Sequence, residues 1–496
     1  MEKNLTELLA LLSTAEVEGD KNKTIKVVAY DSREVVEGTL FICLSGSKVD
    51  GHSYINQAYA AGAVAVLVEK PVKAPAGLTV IQVPSTRQAM QAVVPYFFDY
   101  PARKLRMIGV TGTNGKTTTT YLIRSILKQA GFRVGISGTI QTLIEDRILP
   151  VKNTTPDVVE LQTVLAEMVN AGIDYVIMEV SSHALALNRV AGCEFDVGVF
   201  TNVTRDHLDF HLTFENYIDA KAELFRLLGR QDGHKGNKAA VINIDDDAGS
   251  AMLANTNCRA ITYAINQAAD IQAQSIDVQA AGARFHVASW LGDFALALKI
   301  TGIFNVYNVL GAIGAALAEG VDIKLIRQSL ESFSSVPGRF ELVDEGQDFA
   351  VIVDYAHTPD GLENILRTAR QFAKRRIIAV FGCGGDRDRT KRPVMGKIAA
   401  QMADVIIATS DNPRSEDPDF ILTEIEAGIK PELAADKKYE KIVDRRQAIT
   451  RALTLAGRDD IVIIAGKGHE TYQILKDQTI SFDDRQIARQ ILRGLR

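Results

Sequence analysis

Residues 107–123 read MIGVTGTNGKTTTTYLI, and this stretch decides what the middle of the chain should be. A buried apolar run (104–110, KLRMIGV) leads into a glycine loop. The loop leads into TTTTYLIRSILKQAG (117–131), which has helical spacing and closes at Gly131. Strand, glycine loop and helix together make an anion site, because loop and helix N-terminal N–H groups face the same point. Gly112 and Gly115 permit close backbone approach. Lys116 is placed to reach terminal phosphates, and the Thr117 hydroxyl to ligate Mg²⁺. One position departs from the strict pattern G-x-x-x-x-G-K-[ST]: its first glycine falls on Val110, with Gly109 one residue early. Two readings stand, a variant phosphate loop and a glycine turn that binds no phosphate.

Working outward, apolar runs at IDYVIMEV (173–180), FDVGVFTNV (195–203) and AAVINID (239–245) alternate with helical segments. That pattern predicts an α/β fold with a doubly wound, mostly parallel central sheet over 105–335. Residues 1–104 alternate TLFICLSG, GAVAVLVEK and LTVIQVP with the helix-like SYINQAYAAGA, a small N-terminal α/β domain. After the SSVPGRFE turn, FAVIVDYAH, RIIAVFGCGG, DVIIATSD and DIVIIAGKG predict the buried strands of a Rossmann-like C-terminal domain over 336–496. Three domains suit a chain of 496 residues, too long for one core.

Composition narrows the class. Net charge is −5 and the apolar fraction 46%, which gives no basic face for nucleic acid. No apolar run is long enough to span a membrane, and the acidic N-terminus lacks the features of a signal peptide. Cys43, Cys193, Cys258 and Cys383 are scattered, as expected for reduced thiols of a cytoplasmic enzyme. No self-pairing surface is evident, and a monomer is the expected state.

Several stretches carry chemistry. Glu179 follows a buried run and should emerge at the carboxyl edge of the sheet, as a Mg²⁺-binding acid or a helix cap. TNVTRDHLDFH groups Asp206, His207, Asp209 and His211. With His183 these could hold zinc, or simply form a capped helix start. Lys221 lies on the following helix, either as positive charge at a phosphate site or as a surface lysine. Asn305 and Asn308 sit three apart at a helix start, able to read an adenine edge or to cap the helix. Arg339 comes from a Pro-Gly turn, and Asp354 and His357 follow a strand. Arg387, Arg389, Lys391 and Arg392 form a cationic cluster suited to anionic substrate groups. Asp411, Asn412, Pro413 and Arg414 (DNPR) form a loop that could hold both ends of a zwitterion, or an ordinary turn with an ion pair.

Taken together, these residues resemble the Mur ligase family, ATP-dependent amide-forming enzymes of peptidoglycan precursor synthesis. The resemblance spans essentially the whole chain and favours the members that add the third amino acid. The family loop is G-T-[NG]-G-K-[ST], which GTNGKT matches without an early glycine. The resemblance implies ATP and Mg²⁺ as cofactors, with UDP-N-acetylmuramoyl-L-alanyl-D-glutamate and meso-diaminopimelate as substrates. ATP would be held by Gly112, Thr113, Asn114, Gly115, Lys116, Thr117, Thr118, Asn305, Asn308, Arg339, Asp354 and His357. Ser32, Asn153, Thr154, Thr155, Ser181 and Arg189 match positions that hold the UDP-muramoyl dipeptide, while Leu187 stands where some relatives carry glutamine. Thr117, Glu179 and His207 match metal ligands, and Lys221 matches a lysine that relatives carry as a metal-binding carbamate. Arg387, Asp411, Asn412, Pro413, Arg414, Gly466 and Glu470 match contacts to diaminopimelate. Lysine-adding relatives usually lack the arginine of DNPR, so Arg414 would select an amino acid with a second carboxylate. The alternatives are a lysine-adding or folate-linked relative, a P-loop ATPase switch, and a zinc hydrolase built on the histidines.

Overall fold

The structure is a computed structural model that describes residues 1–46, 49–151, 153–229, 235–279 and 282–495. It divides into two compact units, residues 1–272 with 308–326, and residues 273–307 with 327–496.

In the first unit the strand Arg106–Thr111 lies at the middle of the main sheet, flanked by Tyr175–Glu179 and Val197–Phe200. Val134–Ser137 continues one side, and Ala239–Asn243, Arg259–Ala264 and residues 271–272 at the start of the strand Ile271–Gln279 continue the other, all parallel. The antiparallel hairpin Thr142–Ile144 with Arg147–Leu149 closes the near edge. The chain thus leaves the central strand to one side first and to the other side later. That reversal opens a crevice at the carboxyl ends of the strands around Arg106–Thr111. Helices cover the faces: Leu122, Ile123, Ile126 and Leu127 of Lys116–Gln129 are all buried, a stripe repeating at helical spacing. Arg106 anchors the amino-terminal edge, donating to the buried Asp196 at 2.8 Å and pairing with Glu319.

The same unit holds a smaller sheet of five strands, ordered Glu16–Glu18, Thr79–Gln82, Ala63–Val68, Thr39–Ile42 and Val27–Ala29. Its four later strands run parallel, and the apolar face of helix Thr86–Phe97 packs with Val158 and Val159 into one core.

The second unit has six strands in the order Glu341–Leu342, Ala350–Asp354, Ile461–Ala465, Ile377–Phe381, Val405–Ala408 and Lys438–Lys441. All but the first run parallel, so Asp354, Gly382, Thr409 and Gly466 emerge along one edge. The last strand in sequence is inserted between the first two of the parallel set, which again creates a crevice at that edge. Behind it Arg445 grips Asp484 with two bonds of 2.8 and 2.7 Å, both side chains fully buried. Replacing one partner leaves the other charge buried alone, so Asp484→Asn is expected to cost roughly 3–5 kcal/mol. Urea unfolding checks this, and a cost below about 1 kcal/mol would refute it.

The strands expected from sequence are all present, distributed over the three larger sheets. All four cysteines are free thiols, three of them buried. Among the described residues no helix is long and apolar enough to cross a membrane.

Candidate active site

The phosphate loop follows directly from its glycines. Gly112 has φ 151°, and a Cβ there would sit 1.9 Å from the Thr201 hydroxyl. Gly115 has φ 85°, and its Cβ would lie 2.3 Å from the Asn308 amide oxygen. The loop is pinned from the neighbouring strand end. Thr113 N–H donates to the Asn202 carbonyl at 2.8 Å, and Asn114 N–H to the Asn202 side chain at 3.0 Å. The Thr201 hydroxyl donates to the Asn114 carbonyl at 2.6 Å. Neither Val110 nor Gly109 has a part in this: both lie inside the buried strand. Thr118 is buried in the first turn of the helix. Gly115→Ala has to strain the left-handed backbone and displace Asn308. It is expected to weaken ATP-analogue binding by roughly tenfold or more. Calorimetry reads this directly, and affinity within about twofold of the parent would contradict it.

Lys116 Nζ donates to the Gly112 and Thr113 carbonyls at 2.9 and 2.8 Å. Lys221 reaches the Gly112 carbonyl from the helix Phe214–Leu228, at 2.8 Å, with its Nζ 4.4 Å from the Tyr217 ring centre. It is 1% exposed, and among the described residues no carboxylate pairs with it. Burial, reinforced by the Lys116 charge, holds its pKa well below the usual lysine range. The surface-lysine alternative is therefore excluded.

Glu179 ends its strand buried, and its carboxylate collects donors. Thr117 Oγ1, Thr139 Oγ1 and Thr139 N–H each donate to it at 2.9 Å. Thr139 was not singled out in the sequence, although SGT after a strand of the same sheet placed it at the carboxyl edge. Thr139 also bonds Thr154, and Thr155 donates to the Glu179 carbonyl at 2.8 Å while receiving the Ser181 N–H. Ser181 caps the helix Ser182–Ala186. Thus Thr117, Glu179, Thr154, Thr155 and Ser181 form one connected network. Arg189 faces Asp157 at 3.8 Å. Asn153 immediately precedes this network in the chain. Ser32 opens the single turn Ser32–Glu34 of the N-terminal sheet and is not part of it among the described residues.

A buried carboxylate beside a threonine hydroxyl is an all-oxygen donor set of the kind Mg²⁺ takes, with substrate phosphates completing the shell. These residues fit that ion. His207 has a left-handed backbone (φ 54°), and its ring stands 4.7 Å from His183. Burial lowers the pKa of His207, and takes that of His183 down to about 4. His211 is engaged with the Ser182 hydroxyl at 3.0 Å. Among the described residues no three His, Cys, Asp or Glu side chains are arranged to hold a metal, as a zinc-hydrolase site would require.

Asn308 is buried against Gly115 and close to the Thr119 hydroxyl at 3.4 Å, so its amide oxygen backs the loop. Asn305 donates to the Thr301 carbonyl at 2.8 Å. In the second unit Arg339 lies over Tyr355, whose ring also contacts His357 and His469. The Asp354 carboxylate accepts from the Phe340 and Ala356 N–H groups at 2.6 and 2.8 Å, which holds the Arg339 turn in place.

At the same sheet edge Asn412 donates to Glu470 at 2.9 Å, and Lys467 Nζ bonds Glu470 at 2.9 Å and Asn412 at 3.2 Å. Gly466 has φ 117°, and a Cβ there would lie 2.6 Å from Asp411. Lys467, fully buried between Gly466 and Glu470, carries no distinguishing signal in the sequence. Arg414 donates to the Gly385 carbonyl at 2.8 Å across two adjacent loops, with Pro413 at the contact. The cationic cluster needs correcting as a substrate patch. Arg389 pairs with Glu424, Arg392 with Glu416 and Glu424, and Lys391 bonds the His357 carbonyl. Carboxylates distant in sequence neutralise both arginines. Among the described residues Arg387 has no carboxylate partner and bonds only the Asp386 carbonyl.

Three family models match the chain in order. They are the Mur ligase family catalytic domain at residues 24–97, the Mur ligase middle domain at 110–316, and the Mur ligase glutamate ligase domain at 338–468. The chain belongs to the Mur ligase family. It is 48% identical over 485 residues to the UDP-N-acetylmuramoyl-L-alanyl-D-glutamate–2,6-diaminopimelate ligase of Geobacillus thermodenitrificans, covering 98% of each chain. The ligase of the same name from Bacillus cereus is 46% identical, over 99% of this chain and 98% of its own. A solved structure of a ligase so named superposes with a TM-score of 0.71 at 34% identity, over 100% and 99% of the two chains.

Proposed function

We propose that the chain is an ATP-dependent, ADP-forming ligase of peptidoglycan precursor synthesis. It joins meso-diaminopimelate to the γ-carboxylate of the D-glutamyl residue in UDP-N-acetylmuramoyl-L-alanyl-D-glutamate. The reading rests on two separate observations: a phosphate loop with buried Glu179 in one unit, and an Asp411, Asn412, Arg414 and Glu470 cluster in the other. The division of labour follows the three sheets, with UDP-sugar binding in 1–104, nucleotide in 105–335 and amino acid in 336–496. The protein acts as a cytoplasmic monomer.

The γ-phosphoryl group of ATP passes to the glutamyl carboxylate, and the diaminopimelate amine attacks the resulting acyl phosphate, releasing phosphate. The loop N–H groups and Lys116 stabilise charge spread on the transferred group. Thr117, Glu179, His207 and, as its carbamate, Lys221 would hold Mg²⁺, which would supply charge neutralisation at the phosphates. Lys221 is suited to carbamate formation, in which its neutral amine adds CO₂ and releases a proton, because burial already disfavours the ammonium form. Thr154, Thr155, Ser181 and Arg189 hold the dipeptide, with Ser32 and Asn153 on its sugar and phosphate side. Asn305, Arg339 and His357 are assigned to the nucleotide by their match to the family pattern.

Phosphate release with the UDP-muramoyl dipeptide tests the reading, comparing meso-diaminopimelate with L-lysine. Release that requires the dipeptide and diaminopimelate is expected. Equal rates with lysine would remove the amino-acid assignment, and release without either substrate would remove the ligase.

A further inference from the structure

Arg392 and Glu416 have no role in the scheme above, yet they join the two loops that carry Arg387 and Arg414. Arg392 lies in the first turn of the helix Lys391–Met402, and its side chain is completely buried. Its two terminal nitrogens grip the two oxygens of Glu416 as a fork, at 2.8 and 2.9 Å. The same guanidinium donates to Glu424 at 2.6 Å and to the Gly384 carbonyl at 3.2 Å. One side chain therefore ties the loop 382–390 to the loop 409–417, each following one of two adjacent parallel strands.

A second set of bonds zips the loops together. Asp386 accepts from the Ser415 N–H at 3.1 Å and from its hydroxyl at 2.6 Å. The Asp386 N–H donates to Glu416, Gly385 N–H to the Asn412 carbonyl, and Arg414 Nη1 to the Gly385 carbonyl. The backbones touch: a Cβ on Gly385 would lie 1.8 Å from the Pro413 carbonyl oxygen. Asp386 and Arg414 both have φ 54°. Two non-glycine residues in left-handed geometry persist only where their surroundings over-determine them. The buried ion pair supplies that constraint, because a desolvated guanidinium fork is held in one orientation by its carboxylates.

We infer that the Arg392–Glu416 pair positions Arg414, and through it sets the preference for an amino acid that carries a second carboxylate. The inference rests on the reading of Arg414 proposed above. Both are positioning residues: they act through the loop and touch no substrate. Loosening them lets the Arg414 fork drift from its carboxylate while the phosphate loop is untouched. The loss falls on the KM for diaminopimelate, with kcat and the KM for ATP preserved. Lysine lacks the second carboxylate and does not feel the change. A merely structural role would depress both amino acids together.

The test is Glu416→Gln in the full chain, with Arg392→Lys as a second variant, assayed by phosphate release with each amino acid. Glu416→Gln leaves Arg392 its Glu424 partner, so folding and melting temperature are expected to stay near the parent. The KM for diaminopimelate is expected to rise roughly tenfold, and the diaminopimelate-to-lysine ratio of kcat/KM to fall by the same factor. Arg392→Lys keeps the charge but loses the fork, and moves the ratio in the same direction. An unchanged ratio in folded Glu416→Gln, with an active parent, overturns this inference alone. A parent showing no diaminopimelate-dependent release overturns the ligase reading and this inference with it.

Discussion

Exchange of Lys116 for methionine is expected to lower dipeptide-dependent phosphate release by roughly 10²–10³-fold, the cost of removing one preorganised donor from a developing anion. The argument starts from the resting geometry. Lys116 Nζ is folded back over the loop, on the Gly112 and Thr113 carbonyls. A phosphoryl oxygen entering the loop takes over from those two carbonyls as the partner of an ammonium that is already in place. Methionine preserves the apolar stem and its packing but offers no proton. The loss should therefore appear in turnover at saturating substrates, with little change in melting temperature. Turnover within about tenfold of the parent would mean that Lys116 does not stabilise the transferred phosphoryl group.

The second large effect is at the other crevice. Arg414→Ala is expected to lower kcat/KM for meso-diaminopimelate by roughly 10²-fold or more, and to leave the rate with L-lysine within a fewfold. Arg414 has left-handed backbone geometry, and among the described residues its bonds to the Gly385 and Asn412 carbonyls both come from Nη1, so the rest of its fork retains donors for a carboxylate. In the parent, lysine entering that place leaves the guanidinium facing no anion, a penalty that alanine removes along with the benefit. Selectivity should collapse from both sides. Competition assays with both amino acids in one vessel measure this ratio directly, and a ratio equal to the parent's would show that another residue reads the second carboxylate.

Much of this was legible in the sequence for a physical reason. The phosphate loop is local: strand, two glycines, lysine and helix lie within one continuous stretch, and Val110 proved to be an ordinary buried strand residue. The parallel strands were legible because they are buried on both faces and read as unbroken apolar runs. What failed was pairing at a distance. Arg389 and Arg392 read as a cationic patch because Glu424 lies 35 and 32 residues further along. Thr139 and Lys467 were passed over because neither is unusual in its own window. Their meaning comes from Glu179, 40 residues away, and Asn412, 55 residues away. Lys221 stood open between surface and site until its burial against the Gly112 carbonyl decided it.

The contact between Asn308 and the phosphate loop has a consequence for synthesis on the ribosome. Asn308 meets Thr119 across 189 residues, and Glu319 meets Arg106 across 213. The loop's glycines, lysine and threonine emerge early, but the helix that backs them emerges near the end of the second third of the chain. A nascent chain arrested before that helix has the complete nucleotide motif and lacks its support. ATP is therefore expected to stabilise the nascent chain fully only once residues 308–319 have emerged.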